Sequence, residues 1–103
     1  MTYADVLDRY RDEPREIPTD PKKEQNAKWF RVYVRNDALY IASGREHPNA
    51  CSVSPDRRLN PDKFDQMLDI YRRRRQGEAG FQEARDASMN ASYWFGIFKD
   101  MRV

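Results

Sequence analysis

The sequence predicts a single small α+β domain with an N-terminal helix, a β-hairpin and a C-terminal group of three helices. Three observations lead to this prediction. Apolar residues recur at helical spacing in the first twelve residues and again beyond residue 60, and strict apolar–polar alternation runs through residues 29–43. With 103 residues, 39% of them hydrophobic, the chain has enough material for one modest core.

The N-terminal helix is predicted from one apolar stripe, formed by Tyr3, Val6, Leu7 and Tyr10. Thr2 can cap this helix, because its hydroxyl accepts a hydrogen bond from an amide of the first turn. Pro14 ends the pattern. Residues 14–28 contain three prolines and one large aliphatic side chain, Ile17. They are predicted to form a linker or loop that need not be ordered throughout.

The β-hairpin is the clearest local feature. The stretch "WFRVYVRNDALYIAS" alternates on both sides of Asn36-Asp37, and both of these residues tolerate the positive φ of a two-residue type I′ turn. Such a turn pairs Val34 with Leu39, Tyr33 with Tyr40 and Val32 with Ile41. One face of the hairpin is then apolar, and the other carries Arg31, Tyr33, Arg35 and Tyr40.

A third, edge strand is an open alternative for residues 50–54, "ACSVS". Pro48 and Pro55 flank this segment closely, and the surrounding residues are typical of a loop.

Three helices are predicted after residue 60. Asn60 and Pro61 suit the N-cap and first position of the first of them, and Gly77 marks its end. Its buried stripe is formed by Phe64, Met67, Leu68 and Tyr71. A short helix over residues 81–88 follows, with contacts through Phe81, Ala84 and Ala87. Asn90 can cap the last helix, which runs from Ala91 to about Met101.

Small and apolar residues have a distinctive spacing within "GFQEARDASMNASYWFGIF", at Ala84, Ser88, Met89, Trp94 and Ile97. This spacing resembles a helix-turn-helix DNA-binding motif over residues 80–99, about a fifth of the chain, and no family is indicated for the whole chain. The resemblance implies that DNA faces Asn90, Ala91, Ser92, Phe95 and Gly96. Of these residues, Asn90 and Ser92 carry side-chain groups that can read base edges.

The last helix also fits a buried position. Trp94, Ile97, Phe98 and Met101 share one side of it, and Tyr93 and Phe95 widen its apolar arc to about 200°. Such a helix is predicted to be mostly buried, either in the domain core or against a second copy of the chain.

Arginines supply the candidate anion-binding residues. Four are consecutive, at Arg72, Arg73, Arg74 and Arg75, and two more precede that helix, at Arg57 and Arg58. Arginine binds phosphate with a planar, bidentate guanidinium. The alternative is an ion-paired or solvated face, in which Asp69 pairs with Arg72 or Arg73.

The tyrosines and arginines of the hairpin are a second candidate surface. Arg31 with Tyr33 and Tyr40 could contact phosphates and stack on bases, as in proteins that bind single strands. The alternative is that helices cover this face.

Composition limits the function classes. The formal net charge is +2, without a basic tail, so an anionic partner is allowed but not required. A single cysteine, Cys51, and a single histidine, His47, exclude an internal disulfide and a thiolate–imidazole zinc site. The N-terminal residues do not resemble a signal peptide, and no apolar run could span a membrane. A soluble, cytoplasmic protein without cofactor, metal or membrane partner is expected.

These observations favour a small non-catalytic regulatory or accessory protein that binds nucleic acid through its arginines. One alternative is a protein-interaction module that uses the aromatic C-terminal helix as a homodimer or partner interface. A second is a small ribonuclease-like toxin. A catalytic pair of His47 and Cys51 would need mutual hydrogen-bond reach and an orienting group.

Overall fold

The structure, a computed structural model, describes residues 1–20, 26–78 and 81–103. Part of the predicted loop 14–28, namely residues 21–25, lies outside these ranges, as do residues 79 and 80 and the side chain of Phe81. The fold is α+β, with an N-terminal helix, a four-stranded antiparallel sheet and three C-terminal helices.

The N-terminal helix, α1, spans Tyr3–Asp12 and begins as predicted. Thr2 and Asp5 form a capping box: the Asp5 amide donates to the Thr2 hydroxyl at 3.3 Å, and the Thr2 amide donates to the Asp5 carboxylate at 2.8 Å. Val6 and Tyr10 are fully buried, so the predicted stripe is the face that packs on the sheet.

The predicted hairpin is confirmed in its turn and its register. Strands β2 (Trp29–Arg35) and β3 (Ala38–Ser43) are antiparallel and pair Val34 with Leu39 and Tyr33 with Tyr40. Asn36 and Asp37 have φ angles of 50° and 57°, as a type I′ turn requires.

Two short edge strands complete the sheet, in the order β1-β2-β3-β4. Strand β1 spans Arg15–Pro18 and pairs with β2, so the prediction of a loop over residues 14–28 is wrong for these four residues. Ile17 lies opposite Phe30 and is 1% exposed, which explains why this segment joins the core. Pro18 fits an edge strand, because proline has no N–H and an edge strand has one side on which no hydrogen bond to a neighbouring strand is needed.

The other edge strand, β4, is Arg57–Arg58 rather than the proposed segment 50–54. Within 50–54, Ala50 makes one isolated bridge to Trp29. The Ser43 hydroxyl contacts both the amide and the carbonyl of Val53, at 2.7 and 2.9 Å. Val53 is therefore joined to β3 by hydrogen bonds to the Ser43 side chain and not by backbone pairing.

The C-terminal helices are α2 (Phe64–Arg75), α3 (Phe81–Ala87) and α4 (Ala91–Asp100). Asn60 caps a 3₁₀ turn over Pro61–Lys63 that leads into α2, and its side chain accepts from the Asp62 amide at 3.0 Å. Gly77 follows α2 with a φ of 80°, the left-handed conformation that suits glycine after a helix.

Helix α4 is buried within its own domain. It packs on β1 and on α2, and the sheet also carries α1 on the same apolar side. Trp94, Phe95, Ile97 and Phe98 are each at most 1% exposed. Aromatic side chains from α2 join them, with Phe64 and Tyr71 lying 5.8 and 5.4 Å from Phe98 between ring centroids. The apolar arc of this helix is therefore used in the core and is not presented to a second copy.

None of the helices in the described part of the chain is both long enough and apolar enough to cross a membrane.

Candidate binding surface on the outer face of the sheet

The sheet has an outer face opposite to the one that carries α1 and α4. Its side chains follow from the strand register: Arg31, Tyr33 and Arg35 alternate with buried residues on β2, and Tyr40 and Arg58 lie in the same cross-strand row as Tyr33. Arg31, Arg35 and Arg58 are exposed, Tyr33 and Tyr40 are half-buried, and no hydrogen bond, ion pair or ring contact joins any of these five side chains to a described helix. The structure therefore does not bear out the alternative in which helices cover this face. The helices all pack on the apolar side.

Two tyrosines form the centre of this face. The rings of Tyr33 and Tyr40 are stacked, with centroids 5.5 Å apart and planes 15° from parallel. The Tyr33 hydroxyl donates to Asp56 at 2.6 Å. Partial burial, followed by the hydrogen bond to this carboxylate, raises the pKa of Tyr33 above its usual value. The hydroxyl therefore remains a protonated donor near neutral pH.

Arginines surround the tyrosine pair. Arg31, Arg35 and Arg58 are exposed, and Arg35 places its guanidinium 5.4 Å from the centroid of the Tyr40 ring. Within residues 1–20, 26–78 and 81–103, no hydrogen bond or ion pair engages the side chain of Arg31 or of Arg58. Their donors are available for an external anion.

The segment 44–56 closes one end of the outer face, next to β1. The buried carboxylate of Glu16 accepts hydrogen bonds from the amides of Arg45 and Glu46, at 2.7 and 2.8 Å. Its other oxygen lies 3.0 Å from His47 Nδ1, and the His47 ring stacks on Trp29 at 3.7 Å. This group of contacts holds the segment against the sheet.

Burial alone would raise the pKa of Glu16. The hydrogen bonds from His47 and the two amides outweigh that effect, so the pKa of this carboxyl lies below its usual value. Glu16, Glu46 and His47 also bring three potential metal-ligand atoms within 4.8 Å of one another. Because Glu16 already accepts three hydrogen bonds from this segment, those bonds explain why the three side chains lie close together, without a metal ion.

An open cavity of about 730 Å³ lies between this segment and the sheet. Its lining includes Arg31, Tyr33, Ser43, Arg45, Val53 and Asp56. Arg31 and Tyr33 belong to both the cavity lining and the outer face, so the cavity extends the same surface.

The four consecutive arginines of α2 are mostly engaged within the chain. Arg73 bonds to Asp69 at 2.9 Å and to both oxygens of Glu83, at 2.6 and 3.1 Å. These bonds raise the pKa of Arg73 and lower that of Glu83. For Arg73, the ion-paired alternative is therefore confirmed, and the pair connects α2 to α3.

The other three arginines of this run differ from one another. Arg74 lies 3.6 Å from Asp20 and 5.2 Å from the Phe95 ring centroid, and Arg75 donates to the Val103 carbonyl at 2.8 Å. Arg72 is exposed, and no hydrogen bond or ion pair holds its side chain among the residues that the structure describes. The run is not a continuous free cationic surface.

The groove-reading geometry implied by the helix-turn-helix resemblance is absent from α4. Ala91, Phe95 and Gly96 would face DNA, yet all three are buried. Gly96 lies against Pro18 of β1, and Phe95 packs on Tyr71 of α2. Met89, a predicted apolar anchor, is 86% exposed.

The remaining two residues of that predicted face do not form a reading surface. The side chain of Asn90 does not cap α4 as predicted; it accepts a hydrogen bond from Arg57 at 3.2 Å. Ser92 is half-buried. Arg57 itself points towards the helices, whereas its neighbour Arg58 belongs to the outer face.

His47 and Cys51 have separate partners. Cys51 Sγ lies 3.0 Å from the Tyr93 hydroxyl, and burial, followed by this contact, raises the pKa of Tyr93 to about 12. His47 is bonded to Glu16 instead. These contacts provide no nucleophilic pair of the kind considered from the sequence.

Sequence reasoning identified the outer-face residues Arg31, Tyr33, Arg35 and Tyr40, but it missed Glu16, Arg45 and Asp56. No local pattern marks these three, because their partners lie 23 to 31 residues away along the chain. Comparison with known proteins finds no matching family model, curated protein or solved structure.

Proposed function

We propose that this protein is a small non-catalytic regulatory or accessory protein that binds single-stranded nucleic acid through the outer face of its sheet. One observation supports the proposal most directly. Two exposed arginines without internal partners, Arg31 and Arg58, flank the stacked pair of Tyr33 and Tyr40 on a face that no described helix covers.

The spacing of these groups suits a strand of nucleic acid. Neighbouring strands lie about 4.8 Å apart, so Tyr33, Tyr40 and Arg58 form a short row across the sheet. Arg31 and Arg35 lie on the same strand and the same face, two residues before and two residues after Tyr33. Arginine can neutralise backbone phosphates, and the tyrosine rings offer surfaces on which unpaired bases stack.

A single strand is favoured over a duplex for two reasons. Stacking on tyrosine requires base faces that a duplex keeps closed. The helix that resembled a groove reader, α4, is also buried along the side that would meet DNA. Sequence preference would have to come from the cavity beside Arg31, because arginine contacts to phosphate carry no sequence information.

Binding should be measured by fluorescence anisotropy with labelled single-stranded RNA, single-stranded DNA and duplex DNA, at two salt concentrations. We expect both single strands to bind more tightly than the duplex. Affinity for a single strand should fall with salt, with a log–log slope of about −0.7 for each phosphate neutralised.

The double variant Arg31→Gln/Arg58→Gln tests the surface itself. It should weaken single-strand binding at low salt by at least about tenfold and flatten the salt dependence. Arg72→Gln is the matched control, since Arg72 is also exposed but lies on α2. Unchanged binding by the double variant, or an equal loss in the control, would contradict the proposed surface.

A further inference from the structure

A second basic surface lies where α1, β1 and α4 meet. A cavity of about 630 Å³ is lined there by Arg9, Arg15, Lys99, Asp100, Met101 and Arg102. An adjoining cavity of about 700 Å³ is lined by Asp20, Tyr71, Arg75, Lys99, Arg102 and Val103. Lys99 and Arg102 line both cavities, so the two form one continuous surface.

Positive charge is concentrated at this surface. Its lining contains five cationic side chains and two acidic ones. Five cations and two acids give these lining side chains a formal net charge of +3, which is larger than the +2 of the whole chain. Asp20, one of the two acids, also lies 3.6 Å from a further cation, Arg74.

Asp100, the other acid, only partly neutralises its neighbours. Its short hydrogen bond, 2.7 Å, comes from the Tyr10 hydroxyl. Arg9 and Arg15 lie 3.6 and 3.4 Å from the same carboxylate, which is longer than the roughly 2.8 Å of a strong charge-assisted bond. The buried Nε of Arg9 has no acceptor among the described residues. That Nε is shielded from solvent and cannot meet an external anion, but the side chains of Arg9 and Arg15 are 36% and 40% exposed, and no hydrogen bond among the described residues uses their terminal guanidinium nitrogens.

Lys99 and Arg102 are exposed, and neither side chain forms a hydrogen bond or ion pair within the described ranges. A cation near the C-terminal end of a helix is favoured by the helix dipole, which accounts for about half a charge. The same effect applies to Arg9 and Arg75, which lie in the last turns of α1 and α2, but it does not apply to Arg15, which lies on β1.

We propose that this surface binds a compact phosphate anion with two or more negative charges, of the pyrophosphate class. Lys99 and Arg102 line both cavities, so that both side chains can contact one anion bound there. Arg9 and Arg15 supply guanidinium donors to the first cavity. The site goes beyond the function proposed above and does not depend on it, because none of its residues belongs to the outer face of the sheet.

The test is isothermal titration of the full chain with pyrophosphate at low ionic strength. Saturable binding is expected for the natural sequence. The double variant Lys99→Gln/Arg102→Gln should bind at least about tenfold more weakly. Each single variant should lose part of that affinity, which keeps the test available if the double variant is unstable.

Arg85→Gln is the matched control, because Arg85 is an exposed arginine of α3 outside both cavities. It should bind pyrophosphate as tightly as the natural sequence. Absence of saturable binding, unchanged affinity in the Lys99 and Arg102 variants, or an equal loss in the Arg85 variant would overturn the proposal.

The source of the phosphate is identified by a pair of trinucleotides with a 5′-phosphate or a 5′-hydroxyl. A preference for the phosphorylated form that Lys99→Gln/Arg102→Gln abolishes would assign the site to the end of a nucleic-acid strand. Binding of pyrophosphate without such a preference would assign it to a free polyphosphate. Failure of both probes to bind would overturn this site, whether or not the outer face of the sheet binds single-stranded nucleic acid.

Discussion

Gly96 shows how a single residue sets the distance between two elements. It lies in the middle of α4, among large aromatic side chains, where the helix meets β1. A Cβ atom at this position would lie 2.5 Å from the Pro18 carbonyl oxygen and 3.1 Å from Thr19 Cα. Both neighbours are backbone atoms, so neither can move away without displacing the strand.

Gly96→Ala should therefore destabilise the protein, by about 1–3 kcal/mol, as overpacking does in other cores. Alanine is normally about 1 kcal/mol more favourable than glycine inside a helix, and here the clash outweighs that gain. Urea unfolding measures the difference. Lys99→Ala, an exposed change in the same helix, should have little effect. A Gly96→Ala protein more stable than the natural one would show that α4 does not approach β1 this closely.

At the scale of elements, a helix or strand could be predicted from the sequence where the interactions that form it join residues close together along the chain. The hairpin could be predicted because its alternation and its Asn36-Asp37 turn are local. Strand β1 could not, because its four residues show no clear alternation and are held by pairing with β2, which begins only at Trp29. The same limit applies to the arginines of α2: the pairing of Arg73 with Asp69 is local and could be predicted, whereas its pairing with Glu83 depends on the packing of α3.

Glu16 holds the segment 44–47 against β1, and the strength of this attachment can be tested by measuring protein stability as a function of pH. Its pKa in the folded protein lies below the ordinary value of 4.5. Just below that pH the unfolded state binds more protons than the folded state, so stability rises with pH across this window. The contribution of Glu16 is complete above the ordinary pKa and is lost as pH falls through the lower, folded pKa.

Glu16→Gln should be less stable than the natural protein near pH 7, and the difference should shrink as pH falls from about 5 towards 3. Comparing the two proteins at each pH removes the contribution of the other carboxyl groups. Glu13→Gln, at an exposed position nearby, should show little difference at any pH. A constant gap between natural and Glu16→Gln proteins would mean that the carboxylate charge is not what holds the segment.

At the scale of the whole molecule, α4 connects the two halves of the fold. It contacts β1 on one side and α2 on the other, and α2 in turn carries α3. The buried side chains of the sheet and of the helices belong to one continuous cluster, in which Trp94 is 1% exposed. Among the residues that the structure describes, the helical group therefore has no apolar core separate from that of the sheet.

From this shared core we expect the chain to unfold as a single cooperative domain. A Trp29→Phe variant leaves Trp94 as the only tryptophan, so its fluorescence reports on the contact between α4 and α2, while far-UV circular dichroism reports on all the helices. The two urea transitions should coincide, with an m-value of about 1–3 kcal/mol/M. Loss of helical signal at a lower urea concentration than the Trp94 transition would instead show that α1 or α3 unfolds independently. If α3 is the helix that is lost, the pairing of Arg73 with Glu83 is too weak to make it part of the cooperative unit.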